Sequence, residues 1–167
     1  MSLFVADFIC QRFADLTPTL LRKHGVTVVL VDLDNTLIPY SLSMPTEELL
    51  DWRARLAEAG ITLFVVSNNR HGTRVVPFCE AMDVPYLLHA RKPSPYGFRE
   101  ALRLLDADPA HTLAVGDQVY TDVVGAHRAG IRAALVHPID LKHYPLLALR
   151  YGLEAPFRRR AASHTLD

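Results

Sequence analysis

An α/β fold around a mainly parallel sheet is what this sequence predicts, on three observations. Short apolar, β-branched runs recur along the chain, with amphipathic stretches between them. Strands separated by helices pair in parallel through right-handed crossovers. Each run also ends in polar residues, among them Asp32 and Asp34, Ser67, Lys92 and Asp117. In a parallel sheet these fall beyond the carboxyl ends of the strands, where ligands bind.

The elements follow in order. Val28-Val29-Leu30-Val31 reads as a buried strand that delivers Asp32 and Asp34 at its far end. Two acids two residues apart point to the same side of an extended chain. Burying them together is costly unless a metal ion or a shared proton compensates. Taken alone, the pair is equally readable as a solvated Asx turn. Pro45 then sits where a helix begins, with Glu47 and Glu48 in the first turn, Leu49, Trp52 and Leu56 as its apolar face, and Gly60 as its stop.

The second strand, Ile61 to Val66, runs into Ser67-Asn68-Asn69. The helix after it holds Pro77, so it either starts late or is kinked. A third strand, Val84 to Leu88, precedes Arg91-Lys92-Pro93. Ser94-Pro95 opens the next helix as cap and first residue, with Phe98, Leu102 and Leu105 at helical spacing. Thr112 to Val115 leads into Gly116-Asp117-Gln118, Thr121 to Ala129 reads as a helix stopped by Gly130, and Ala133 to Val136 is the last strand. Before all of these, Val5, Phe8, Ile9, Phe13 and Leu16 form an apolar stripe at helical spacing opposite Asp7, Gln11 and Asp15. That stripe predicts a helix docked on the protein's own core, because a membrane-surface helix carries lysine or arginine on its polar face and this one is acidic there.

The chain is expected to form one domain over residues 1–167: a helical lead-in over 1–25, a core over about 26–140, and a helical segment with a basic tail over 141–167. The formal net charge is zero, which argues against a nucleic-acid binder that works by neutralising phosphates. Cys10 and Cys79 have no metal-ligand spacing and read as free thiols of a reducing cytoplasm. No apolar run approaches the roughly 20 residues that span a bilayer. The start of the chain lacks a basic segment and carries Asp7 early, so it does not read as a signal peptide. A cytoplasmic protein is expected.

The four polar stations resemble the haloacid dehalogenase (HAD) superfamily of phosphohydrolases. Its motifs are an Asp-x-Asp pair, a Ser or Thr, a Lys, and a Gly-Asp followed by a second acid. Here they are Asp32-Leu33-Asp34, Ser67, Lys92, and Gly116-Asp117 with Asp122. The resemblance covers roughly Val26 to Val136 and implies a Rossmann-like three-layer sandwich. It implies Asp32 as the nucleophile that forms an aspartyl-phosphate, and Asp34 as general acid and base. It implies Mg²⁺ on Asp32, the Asp34 backbone carbonyl and Asp117, with Asp122 behind them fixing waters or Lys92. Ser67 and Lys92 would meet the phosphoryl group, and Asn68 is a further substrate-contact candidate. An Asp at position 34 favours a phosphatase over a dehalogenase.

Structural readings stand beside these. Ser67 could cap the following helix, Lys92 could be a surface lysine, Asp122 could be a first-turn acid, and Asn68 and Asn69 could simply make turns. His71 reads as an exposed loop residue, and His89, His111, His127 and His137 as structural or surface residues. A catalytically idle binding module is the alternative from another class, disfavoured because every motif residue is intact.

Absences narrow the substrate. Only 32 residues separate Asp34 from Ser67 and only 24 separate Ser67 from Lys92, so neither insertion site has room for a cap domain. An open site is expected, suited to a large or surface-bound phosphoester unless another subunit of an oligomer covers it. The fuller pattern, with Asp34-Asn35-Thr36-Leu37, Ser67-Asn68-Asn69, Lys92-Pro93 and Gly116-Asp117-Gln118, resembles the capless subfamily IIIA group of YqeG-like proteins and phosphatidylglycerophosphate phosphatases. That implies a phosphomonoester substrate, with a lipid phosphate at a membrane surface as the leading candidate and a soluble sugar phosphate or nucleotide as the alternative. The tail, Phe157 and Arg158-Arg159-Arg160 with Arg150 upstream, could attract anionic lipid, but is expected to be frayed and solvated where no membrane is present.

Overall fold

In a computed structural model of the protein, which describes residues 2–161, six strands form one all-parallel sheet. The strands are β1 (Phe8–Ile9), β2 (Val28–Val31), β3 (Thr62–Val66), β4 (Tyr86–Leu87), β5 (Thr112–Gly116) and β6 (Arg132–Leu135), in the order β1-β6-β5-β2-β3-β4. Six α-helices alternate with them: α1 (Pro18–Lys23), α2 (Glu47–Glu58), α3 (Val75–Met82), α4 (Tyr96–Leu105), α5 (Val124–Arg128) and α6 (Pro145–Ala161).

The side-chain period of two divides the core. Val29 and Val31 of β2 face one layer with Leu49, Trp52 and Leu56 of α2 and Val75, Phe78 and Met82 of α3. Val28 and Leu30 face the other, with Phe98 and Leu102 of α4, Ala126 of α5 and Ala161 of α6. Both faces of the sheet are covered, which is why β2 and β5 are buried along their whole length. This is the expected three-layer sandwich.

Several boundaries differ from expectation, each for a local reason. The N-terminal stripe does not form a helix. Phe8–Ile9 is an edge strand beside β6, bracketed by bonds from Asp7 N to Ala133 O and from Cys10 N to Leu135 O, both 2.9 Å. An open sheet edge leaves unpaired backbone groups, and extended pairing satisfies them where a helix would not. Helix in the lead-in is confined to α1 and a 3-10 turn at Phe13–Asp15.

Helix α2 starts after Pro45, because Thr46 is the cap and its hydroxyl accepts from Leu49 N at 3.3 Å. Helix α3 starts late, which places Pro77 in a first turn whose N–H groups have no helical partner to lose. Helix α4 begins one residue later than expected, with Pro95 at the cap position and Ser94 just outside it, where its hydroxyl accepts from Tyr96 N at 3.3 Å. A π-turn over Val119–Val123 precedes α5, so the helix expected from Thr121 begins earlier and wider.

The basic tail is not frayed where it is described. Helix α6 runs through Pro156 to Ala161, and Arg158 is buried within it. Residues 162–167 of the expected tail lie outside the described residues.

Candidate active site

The register of the sheet brings the polar stations together. Val31 of β2 lies beside Val65 of β3 and Val115 of β5, and Asp32 N continues the ladder to Val115 O at 2.9 Å. Asp32 therefore stands level with Val66 and Gly116, and Ser67 and Asp117 follow one residue further along on the two adjacent strands. Lys92 arrives from the loop after β4, and its ammonium donates to Asp32 at 2.6 Å and to Asp122 at 2.7 Å. Lys92, Asp32, Asp117 and Asp122 are all at least nine-tenths buried.

Asp34 follows on the loop after β2 and is partly buried. Asn35 there takes a left-handed φ of 66°, which asparagine tolerates, and its amide is held by Asp140 on the loop after β6. Thr36 turns back and donates to Asp117 at 3.2 Å. On the other side of the site, Gly116 is required by space. A Cβ there would lie 2.3 Å from Cγ of Asp122, so only glycine lets that carboxylate approach β5.

Electrostatics follow from three buried acids sharing one lysine. Burial pushes Asp32 up to about 7; the Lys92 ammonium opposes this, and Asp122 and Asp34 add to it. Burial, then the neighbouring Asp122 and Asp32, holds Asp117 well above the ordinary carboxylate range. Burial alone would pull the Lys92 ammonium down, but Asp122 and Asp32 more than reverse that and keep it charged. The cluster is short of positive charge. One carboxylate oxygen each from Asp32, Asp117 and Asp122 lie within 4.8 Å of one another. An all-oxygen donor set with surplus negative charge fits a hard divalent cation such as Mg²⁺.

Each expected residue has a definite place. Asp32, Asp34, Asn68, Lys92 and Asp122 line one cleft of about 180 Å³. Asp117 sits behind its wall, 2% exposed. Ser67 is buried, and its hydroxyl accepts from Asn69 N at 3.1 Å, so it braces a turn and caps no helix. Asn68 grips the Lys92 backbone from both sides, its carbonyl accepting from Lys92 N at 2.7 Å and its amide donating to Lys92 O at 3.0 Å. Asn69 lines the cleft while its side-chain oxygen accepts from His71 N and Gly72 N. His71 is exposed, and His111 and His127 bond backbone carbonyls away from the cleft.

Sequence reasoning missed several neighbours. Tyr40, Gln118, Thr121 and Arg150 complete the cleft wall. Arg74 at the start of α3 forms an ion pair with Asp34 and donates to Leu42 O at 2.6 Å and Pro39 O at 3.0 Å. Arg158 donates to Asp117 O, and its pair Glu154 accepts from Tyr120 N at 3.2 Å. Thr36 and Gln118 lie within the motifs, and Arg150 and Arg158 read from sequence only as tail charge; Arg74 carried no local signal.

The comparisons with known proteins agree with this geometry. A family model described as "HAD-hyrolase-like" matches residues 89–138. The chain is 34% identical over 136 residues to "Probable phosphatase YqeG" of Bacillus subtilis, covering 81% of this chain and 78% of that protein. It is 26% identical over 125 residues to "Ribonucleotide monophosphatase NagD" of Escherichia coli, covering 70% of this chain but 49% of that protein, about half its length. Among solved structures, the cobalt-bound deoxy-D-mannose-octulosonate 8-phosphate phosphatase of Haemophilus influenzae is similar with a TM-score of 0.53 at 10% identity, covering 85% of this chain and 93% of that one. At that identity the likeness is one of fold.

Proposed function

The chain belongs to the HAD-like hydrolase family, and on that premise we propose that it is a Mg²⁺-dependent phosphomonoester hydrolase of the capless subfamily IIIA type, working through an aspartyl-phosphate. The observation that carries this reading is the buried Lys92 ammonium held between Asp32 and Asp122 in the wall of a cleft that Asp34 also lines.

Phosphoryl transfer needs an in-line nucleophile and a way to offset charge on the transferring group. Asp32 attacks phosphorus, the bond to the leaving oxygen breaks, and Asp34 gives that oxygen its proton. Asp34 then takes a proton from the water that attacks the aspartyl-phosphate, which releases inorganic phosphate and restores Asp32. Lys92 offsets charge on the nucleophile and the phosphoryl oxygens, and Ser67 donates its hydroxyl proton to one of them. Asn68 holds Lys92 in place through the backbone. Asp122 anchors the ammonium from behind. When bound by Asp32, the Asp34 backbone carbonyl and Asp117, a divalent cation supplies Lewis-acid charge stabilisation and keeps the buried carboxylates ionised.

Substrate class follows from openness. The segments between Asp34 and Ser67 and between Ser67 and Lys92 each contain one helix and one short strand. With no inserted domain to cover it, the cleft suits a phosphate presented at a lipid surface, with phosphatidylglycerophosphate as the leading candidate. Similarity to a protein named as a ribonucleotide monophosphatase favours a soluble nucleotide as the competing substrate.

The test is hydrolysis of an aryl phosphate with Mg²⁺ and in excess chelator, by the wild type and by Asp32→Asn. Turnover should require both the metal and Asp32; full activity in chelator, or in the variant, defeats the mechanism. A panel of micellar phosphatidylglycerophosphate, nucleotides and sugar phosphates then ranks the substrates.

A further inference from the structure

We propose that the outward face of α6 is a docking surface for an anionic lipid bilayer. The inference extends the lipid-phosphate reading above, on which its functional sense rests.

Leu146, Leu149 and Leu153 are 84%, 64% and 61% exposed, more than any other large hydrophobic among the described residues. Their spacing of three and four places them on one side of the helix, along about 10 Å of its length. An adjacent face, roughly 110° around the helix, holds Glu154, Arg158 and Ala161 in the interior. Helix α6 is thus satisfied on its inner face by the protein and left apolar on its outer face.

Charge identifies the occupant. Residues 139–161 carry five Lys and Arg against two acids, in a chain whose formal net charge is zero. Of the acids, Glu154 is buried against Arg158, and Asp140 accepts from the ring of His143 at 2.8 Å. Lys142, Arg150 and Arg159 are exposed around the leucines. Leucines flanked by cations are the pattern of an interfacial helix, in which apolar insertion and attraction to anionic headgroups add. A second copy of the chain fits less well. Three leucines cover only part of the roughly 800 Å² that each partner of a stable dimer buries, and the cations would meet their own kind.

Position gives the surface its use. Arg150, next in sequence to Leu149, lines the cleft. Tyr144 just before α6 packs on Tyr40 of the cleft wall, with ring centroids 4.8 Å apart. On the same loop as Tyr40, Leu42 and Met44 are 43% and 53% exposed. A bilayer lying along α6 would therefore run past the cleft mouth, within reach of a headgroup phosphate.

Flotation of the full chain with vesicles tests this. Wild type should float with phosphatidylcholine vesicles containing phosphatidylglycerol, stay behind with pure phosphatidylcholine, and be released at high salt. Replacing Leu146, Leu149 and Leu153 together with Ser should cut the bound fraction at least tenfold. Arg159→Glu, which keeps the leucines, should cut it severalfold. No flotation with anionic vesicles at low salt, or equal flotation of the serine variant, overturns the proposal. So does a wild-type dimer in sedimentation that the serine variant disperses, because the face would then belong to self-association. None of these readouts needs catalysis, so a protein that floats but hydrolyses nothing would sink the proposed activity and leave the docking surface standing.

Discussion

Arg158 reaches back 41 residues to donate a hydrogen bond to the backbone carbonyl of Asp117. The last helix of the chain thereby holds the loop that presents a metal-ligand candidate. The same guanidinium donates to Val136 O at 3.3 Å and pairs with Glu154, whose carboxylate accepts from the π-turn after β5. Ending the chain after Pro156 would remove this support, so such a truncation reads out the site as well as any tail charge.

Arg158→Met should therefore leave Glu154 buried without its partner. Breaking a buried pair on one side costs about 3–5 kcal/mol, and urea unfolding should register a loss of that order. The Mg²⁺ concentration for half-maximal activity should also rise, since the Asp117 loop loses its brace. Replacing Glu154 with Gln in the same variant should recover part of the stability without restoring the metal requirement to its wild-type value.

Arg74 is expected to act through Asp34. Losing its pair with the carboxylate and its bonds to Leu42 and Pro39 frees the loop that carries the proposed general acid. Arg74→Ala should lower kcat by about 10- to 100-fold, the scale of a small misplacement of a reacting group. Asp34→Asn should lower it by about 10²–10⁴-fold. The double variant should be no slower than Asp34→Asn alone, because coupled residues do not add. Additive losses in a kinetic double-mutant cycle would separate the two.

Gly116→Ala tests a purely steric requirement. The added Cβ would push Asp122 off its 2.7 Å contact with Lys92 and its 3.1 Å bond from Gln118 N. Overpacking of this kind costs about 1–3 kcal/mol. Thermal unfolding should fall by that order, and aryl phosphate turnover should fall with it. A fully active variant would mean that Asp122 is free to move.

The N-terminal strand should impose its own pH dependence. Both ring nitrogens of His127 face acceptors, Leu3 O at 3.0 Å and the Asp7 carboxylate at 2.9 Å, so the imidazole is doubly protonated in this geometry. Burial pulls it down, but these bonds outweigh burial and raise it above the ordinary 6.5. Burial likewise opposes Asp7, whose bonds from His127 and Ala133 N still hold it below 3.8. The histidine's contribution is complete below pH 6.5 and is lost as pH climbs through the raised value. The aspartate's is complete above pH 3.8 and is lost as pH falls through the lowered value. Wild-type melting temperature should fall between pH 6 and 9 more steeply than that of His127→Gln; parallel curves would remove the clasp as the cause.

The strands and their polar ends were legible because each rests on a local rule. A β-branched run of four residues forms a buried strand wherever it is placed, and the residues after it fall at the carboxyl end of a parallel sheet. Asp32, Asp34, Asn68, Lys92 and Asp122 meet in the cleft for that reason, with Asp117 just behind. The stripe from Val5 to Leu16 misled because helical spacing is also compatible with a strand followed by a turn. What decided was the open edge of β6, which nothing in the stripe itself encodes.

What the sequence determined by itself was the alternation of strand and helix, the order of the acidic, hydroxyl and lysine stations, and the lack of room for a cap. Only the tertiary structure decided which residues stand behind them. Arg74 lies in a stretch with no motif, and Arg150 and Arg158 read from sequence only as charges of a basic tail. The acceptors that hold them lie about 30 to 40 residues away: Asp34 for Arg74, the Gln118 side chain for Arg150 and the Asp117 backbone carbonyl for Arg158. Local sequence carries no record of such a distance, so the fold had to close before their roles existed.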